Sequence, residues 1–202
     1  MYLMLDFETL GSAGNTVCVS LGAVAFNRKG VLGKKLFVFD LKDQVKLKRT
    51  FTASTLQWWM RPERAEARKV FLDESSPRLT VQQFFPVFEK FVDDCLTKVN
   101  ERRTDLRPMG NGANFDIVIL ENLYRESHAE GEDAIPFKFW NVWCYRTLNH
   151  VFNLKDMVAR PHGTHHTADE DALHQANCVI ELFRRQDAKK KKKTETVDEK
   201  DF

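Results

Sequence analysis

The chain opens with five largely apolar residues, Met1-Tyr2-Leu3-Met4-Leu5, that run straight into Asp6-Phe7-Glu8-Thr9. A short apolar run of this kind reads as a buried strand. Side chains alternate along a strand, so Asp6 and Glu8 share one face about 6.5 Å apart, while Phe7 points the other way and can anchor the strand in a core. Two carboxylates side by side at the end of a buried strand repel each other unless a cation lies between them. Hard divalent cations such as Mg²⁺ and Mn²⁺ take oxygen ligands, so the segment reads as half of a metal site. It reads equally as a strand running out into a charged turn, and partners elsewhere in the chain must decide.

The pattern after this strand predicts a meander. Gly11 to Asn15 is a turn. Val17 to Phe26 is a long strand, apolar on both faces at its end and therefore central in a sheet. Asn27-Arg28-Lys29-Gly30 is a hairpin turn, and Lys35 to Leu41 is a third strand. Lys42 to Phe51 reads as a polar surface loop. Ser54-Thr55-Leu56-Gln57 has the form of a capping box opening a helix with Trp58 and Trp59, Pro62 ends or restarts it, and Glu63 to Phe71 continues helical. A second capping box, Thr80 to Gln83, precedes an amphipathic helix with Val81, Phe84, Phe85, Phe88, Phe91, Val92 and Cys95 at helical spacing. A short strand then breaks into the loop around Gly110 to Gly112, and Asp116 to His128 forms a helix. Phe137 to Cys144 suggests a last strand, Arg146 to Val151 a short helix, and Thr167 to Asp187 the final helix, behind the basic loop Arg160 to His166. A meander followed by mixed strand and helix argues for an α/β sandwich about one mixed sheet.

At 202 residues the chain fits one domain, drawn as residues 1–188, with residues 189–202 a lysine-rich, disordered tail. That tail carries six Lys against four acids, so 25 of the 31 basic and 25 of the 29 acidic residues lie in residues 1–188. A domain this neutral does not coat a duplex, but an enzyme that holds nucleic acid at an acidic, metal-loaded pocket remains compatible with it. Cys18, Cys95, Cys144 and Cys178 are widely spaced and read as reduced thiols. No apolar run approaches the ~20 residues of a membrane span, and there is no secretion signal at the N-terminus, so a cytoplasmic protein without membrane contact is expected.

Two distant stretches supply candidate partners for Asp6 and Glu8. Asn111-Gly112-Ala113-Asn114-Phe115-Asp116 puts a carboxylate at a helix start behind small residues, which let a ligand approach the backbone. Asp116 reads as well as a helix N-cap. In His166-Thr167-Ala168-Asp169-Glu170-Asp171, His166 and Asp171 can reach one pocket from a helix end, with histidine able to take a proton near neutral pH. An ordinary acidic first turn has the same composition.

Together Asp6, Glu8, Asp116, His166 and Asp171 resemble, in order and spacing, the DEDDh exonucleases, the 3′–5′ exonuclease branch of the ribonuclease H-like superfamily. A narrower resemblance is to phage-type exonuclease A and bacterial exonuclease VIII-like proteins, through Phe51 to Trp59, Glu66 to Lys69 and Lys138 to Asn141. It covers roughly residues 2 to 185. The resemblance implies a ribonuclease H-like mixed β-sheet, an antiparallel meander plus parallel strands, flanked by helices. It implies that Asp6, Glu8, Asp116 and Asp171 ligate two Mg²⁺ or Mn²⁺ ions and that His166 is the general base, chosen over His165 by its spacing to Asp171. Thr9 and Leu10 would lie beside the terminal nucleotide, and Asn111, Phe115 and Trp58 are further candidate substrate contacts.

The implied activity is stepwise hydrolysis from nucleic-acid 3′ ends, with single-stranded DNA favoured and RNA the alternative. A homodimer is compatible with it, and a phage origin would place it in host cytoplasm. Adjacent Trp58 and Trp59 cannot both face one surface, so one is expected in the core. A binding module without catalysis and a zinc hydrolase built from His162, His165, His166 and Cys144 are the competing readings; the histidines lack a zinc-ligand spacing.

Overall fold

In the computed structural model, which describes residues 1–72, 77–160 and 167–198, five strands form one mixed sheet. They are β1 (Tyr2–Thr9), β2 (Cys18–Phe26), β3 (Val31–Val38), β4 (Arg107–Gly110) and β5 (Trp143–Cys144), in the order β3-β2-β1-β4-β5. The first three pair antiparallel, and β1–β4 and β4–β5 are parallel. This is the ribonuclease H-like arrangement that the resemblance implies. Seven α-helices flank it among the described residues: α1 (Leu41–Lys46), α2 (Ala53–Trp59), α3 (Ala65–Leu72), α4 (Val81–Val99), α5 (Asp116–Ser127), α6 (Tyr145–Phe152) and α7 (Ala168–Asp198). None is long and apolar enough to cross a membrane.

The strand period of two decides which helix each β1 residue meets. Leu3, Leu5 and Phe7 join the core formed with α4 and α5, among them Phe84, Phe88, Ile117 and Leu120. Met4 faces the other way, onto Ala172, Ala176 and Val179 of α7. Asp6 and Glu8 continue the Met4 face, so they turn toward α7, and Phe7 is buried opposite them against Phe39. On α4 both halves of the capping box form, Thr80 Oγ1 accepting from the Gln83 N–H and Gln83 Oε1 from the Thr80 N–H.

Ahead of the final helix, four expectations from the sequence change. The third strand lies earlier, at Val31–Val38, because Asp40 leaves the sheet to cap α1, accepting from the Lys42 and Asp43 N–H groups. The expected surface loop at Lys42 to Phe51 instead contains α1 and two buried polar residues. Gln44 pairs with Cys18 as a peptide would, its Oε1 accepting from the Cys18 N–H and its Nε2 donating to the Cys18 carbonyl, both at 2.7 Å. Arg49 donates to the carbonyls of Thr16 and Gly14. Buried polar groups are tolerated because they are bonded in this way. The cap of α2 is Thr52, not Ser54. The strand expected over Phe137 to Cys144 shrinks to Trp143–Cys144, behind a 3₁₀ turn at Phe139–Asn141.

Helix α7 runs to Asp198, beyond the end expected near Asp187 and into the segment drawn as a tail. No Gly or Pro interrupts Ala188 to Asp198, and Ala, Lys and Glu are good helix formers. The four cysteines are free thiols, with Cys18, Cys95 and Cys178 buried.

Candidate active site

Three carboxylates meet where β1 ends under the start of α7. One ligand oxygen from each of Asp6, Glu8 and Asp171 lies within 4.8 Å of the other two. Asp6 and Glu8 come from alternate positions of β1, and Asp171 from the first turn of α7. The helix can come this close because β2 carries Gly22 opposite Asp6. A Cβ built on Gly22 would lie 2.1 Å from the Ala168 carbonyl oxygen, so only glycine admits the helix there.

The fourth acid arrives differently. Asp116 is the first residue of α5, and its neighbour Phe115 occupies the cap position, so Asp116 is not the N-cap. Its Oδ1 accepts from the Phe7 N–H at 2.9 Å, just beyond the last β1–β4 pair, Leu5↔Gly110. The small residues before α5 have a use that the sequence did not reveal. A Cβ on Gly110 would sit 2.6 Å from Asp116 Oδ2, so the open space there holds the Asp116 side chain. Asp116 is 3% exposed.

Burial and mutual repulsion govern the titration of this cluster. Desolvation raises Asp6 well above the usual carboxylate range, and the charges of Asp116, Glu8 and Asp171 add to it, while a hydrogen bond from Gln175 opposes it. Desolvation and the charges of Asp171 and Asp116 push Glu8 up to about 8, against the opposing charge of Arg64. Asp116 rises to about 7 through desolvation, countered by backbone N–H groups including those of Phe7 and Asn111 and by Arg146.

Two groups hold the cluster in place. Gln175 Nε2 donates to Asp6 Oδ1 at 3.0 Å, and Arg160 Nη1 to Asp171 Oδ1 at 2.6 Å. Gln175 is 4% exposed, and its Oε1 is buried with no hydrogen-bond partner among the described residues. Convergent carboxylate oxygens beside an orphaned acceptor fit a hydrated hard divalent cation: the acids supply charge, and the acceptor suits a water carried on the ion.

A pH dependence follows for the metal-free protein. A carboxyl whose value rises on folding binds its proton more tightly in the folded chain. For Glu8, ordinarily at 4.5, that contribution to stability is whole below 4.5 and is lost as pH rises to about 8. Thermal melting in chelator should therefore fall across that interval, and Mg²⁺ or Mn²⁺ should restore it at the alkaline end. A melting temperature flat across the interval in chelator would show that the carboxylates do not repel one another as described.

Beside Glu8 opens a cleft of about 450 Å³, lined by Thr9, Ser12, Thr55, Trp58 and Phe115 among others. Three expected substrate contacts, Thr9, Phe115 and Trp58, thus line one cleft. The Thr9 hydroxyl donates to the Gly11 carbonyl at 2.6 Å. Leu10 and Asn111 are not on that lining. Leu10 ties the wall together through backbone bonds to Val17 and Thr52, and the Asn111 carbonyl accepts from Arg146. Of the two tryptophans, Trp59 is the buried one, and its Nε1 donates to the Thr9 carbonyl at 2.8 Å.

Asp169, two residues before Asp171, pairs with Lys34 at 2.9 Å and is not one of the three clustered acids. His162, His165 and His166 lie outside the described residues. Gln175, Arg160 and Arg64 were not singled out from the sequence. Gln175 follows Asp171 by four residues and so shares its helix face, a usable signal; the two arginines carried none.

Residues 1–183 match the family described as the 3′–5′ exoribonuclease Rv2179c-like domain. The chain is 28% identical over 181 residues to the exodeoxyribonuclease of Enterobacteria phage T4, covering 78% of this chain and 75% of that protein. Among solved structures, a full-length 3′-exonuclease is similar with a TM-score of 0.47 and 12% identity, over 92% of this chain and 82% of the other. Cell-death related nuclease 4 is similar with a TM-score of 0.44 and 15% identity, over 91% of this chain and 64% of the other.

Proposed function

Because the chain belongs to the 3′–5′ exoribonuclease Rv2179c-like domain family, it is a 3′–5′ exonuclease, and we propose that its substrate is single-stranded DNA. Nucleotides leave one at a time from the 3′ end as 5′ monophosphates, at the pocket of Asp6, Glu8, Asp116 and Asp171. The observation that carries this reading is the convergence of Asp6, Glu8 and Asp171 within 4.8 Å, with Asp116 pinned to the same strand. The preference for DNA rests on the exodeoxyribonuclease of the phage relative, which also supports a host cytoplasm. The family's description favours RNA as the second reading.

Asp6, Glu8, Asp116 and Asp171 would hold two Mg²⁺ or Mn²⁺ ions. When bound, such ions activate water, stabilise the leaving 3′ oxygen and cancel charge on the phosphate. The chain's own residues do the rest. Gln175 keeps Asp6 turned into the pocket, Arg160 holds Asp171, and the Phe7 N–H fixes Asp116, so the oxygens are placed before substrate arrives. The cleft beside Glu8 receives the terminal nucleoside against Thr9, Phe115 and Trp58. His166, five residues before Asp171, takes the proton from the attacking water.

A 5′-labelled oligonucleotide ladder tests this reading, run on DNA and RNA, single- and double-stranded, with Mg²⁺, Mn²⁺ or chelator. Metal-dependent shortening from the 3′ end, fastest on single-stranded DNA, is expected. Internal cuts or metal-independent cleavage would reject the mechanism, and faster loss of RNA would select the second reading. In the same assay His166→Ala should slow turnover by roughly a hundredfold or more, as loss of a general base does, with metal affinity little changed. If His165→Ala does so instead, the base is misassigned.

A further inference from the structure

Arg64 lies in the 3₁₀ turn Pro62–Arg64, between the tryptophan-bearing helix α2 and α3. Its guanidinium carbon sits 4.1 Å from the centre of the Trp58 ring. Its Nε is buried and bonds to nothing, and no carboxylate or carbonyl accepts from the guanidinium among the described residues. The other arginines near the site are engaged: Arg160 by Asp171, Arg146 by the Asn111 carbonyl, and Arg68 by the Trp59 and Arg61 carbonyls. Arg64 nevertheless stands close enough to Glu8 for its charge to act on that carboxylate. Trp58 in turn lines the cleft beside Glu8.

A guanidinium has five N–H donors in a planar fork that matches the oxygens of a phosphodiester, and stacking on an aromatic face removes much of its freedom. A partly buried arginine that is stacked but not hydrogen-bonded is therefore a preformed anion holder. Within reach of a pocket for a phosphodiester, the anion it fits is a phosphate of the same strand. We propose that Arg64, laid on Trp58 beside the cleft, binds a backbone phosphate of the nucleic-acid substrate. Trp58 is then a platform for the arginine on that face. The assignment rests on the exonuclease reading, and it adds a strand contact supplied from outside the four acids.

The test is equilibrium binding of a 5′-fluorescent single-stranded oligodeoxynucleotide, followed by anisotropy across a salt series. An Asp116→Asn background with Mg²⁺ present prevents turnover during the measurement. Adding Arg64→Gln or Arg64→Ala should weaken binding about tenfold, the scale of one charge-assisted hydrogen-bonded contact. It should also reduce the slope of log K against log salt by about 0.7, the loss of one phosphate contact on a single strand. Arg64→Lys should keep the slope and regain only part of the affinity. In the otherwise native enzyme, Arg64→Gln should raise KM more than it lowers kcat.

An unchanged salt slope in both Arg64→Gln and Arg64→Ala would overturn the proposal and leave the side chain as a counter-charge for Glu8. A wild-type protein that neither binds nor shortens the oligonucleotide would reject the exonuclease mechanism itself. Wild-type shortening combined with an unchanged slope in the variants rejects the Arg64 contact alone.

Discussion

Asp116→Asn should abolish exonuclease activity while leaving the protein folded and as heat-stable as wild type. Asparagine keeps an Oδ1 that can accept from the Phe7 N–H, the 2.9 Å bond that joins the start of α5 to β1. It keeps the volume as well, which matters because the side chain fills the space over Gly110. What it removes is one negative charge from a buried site, where that charge raises Asp6 and Glu8. Without metal, the variant should therefore melt at the same temperature or higher near pH 8, because a buried repulsion has gone. With metal, binding should weaken, since an amide is a poorer ligand than a carboxylate for a hard cation. Outer-shell partners of metal sites are commonly worth up to about a hundredfold, so loss of a direct ligand should cost more than that. Calorimetric titration with Mn²⁺, melting curves and the ladder assay on one preparation check all three parts. Retained turnover would remove Asp116 from the machinery.

Gly22→Ala should damage both stability and activity, although Gly22 is neither one of the clustered acids nor part of the cleft lining. The added Cβ would meet the Ala168 carbonyl oxygen at 2.1 Å, its carbon at 2.2 Å and the Asp169 nitrogen at 2.4 Å. All three are backbone atoms, so no side chain can swing aside, and α7 must back away from β2. Overpacking of this kind costs about 1–3 kcal/mol, or more where backbone must move. For a chain of this size each kcal/mol lowers the melting temperature by about 2–4 °C. Asp171 lies three residues beyond Ala168, so the same retreat carries its carboxylate away from Asp6 and Glu8. A misplacement of about 1 Å can cost a hundredfold in rate, and activity should fall on that scale even where the protein remains folded. Gly30→Ala is the control, because nothing lies within 4 Å of a Cβ there. A Gly22→Ala protein that melts and cuts like wild type would show that α7 does not depend on this contact.

Single-residue differences of this kind separate what could be read in advance from what could not. The strand ending in Asp6 and Glu8 was readable because a period of two assigns faces without any knowledge of the neighbours. The amphipathic helix α4 was readable for the same reason at a period of 3.6, and its Thr80–Gln83 capping box needs only four consecutive residues. The misread segments are those where two local rules compete. Asp40 ends an alternating stretch and is also a good helix cap, and its bonds to Lys42 and Asp43 decide for the cap. Lys42 to Phe51 looked solvated because it is polar, yet Gln44 and Arg49 bury their polar atoms against strand and loop carbonyls.

The carboxylates themselves were identifiable one by one, each with an ordinary alternative. Asp116 could have been a cap, and only the bond to Phe7, 109 residues away in sequence, gives its side chain another task. Asp171 joins Asp6 and Glu8, while Asp169, two residues earlier on the same helix, pairs with Lys34 of β3. Gln175 reaches Asp6 across 169 residues, and Arg64 gains its interest only from the ring beneath it and the carboxylate nearby.

By itself the sequence determined which residues share a face and which elements can form, because alternation, helical spacing and capping act over a few residues and need no partner. The tertiary structure alone decided which faces meet: that α7 lies on Gly22, that Asp116 closes on β1, and that Arg64 lies on Trp58. Such contacts join positions far apart in the chain, and packing, close approach and hydrogen bonding select among local options that are otherwise nearly equal in free energy.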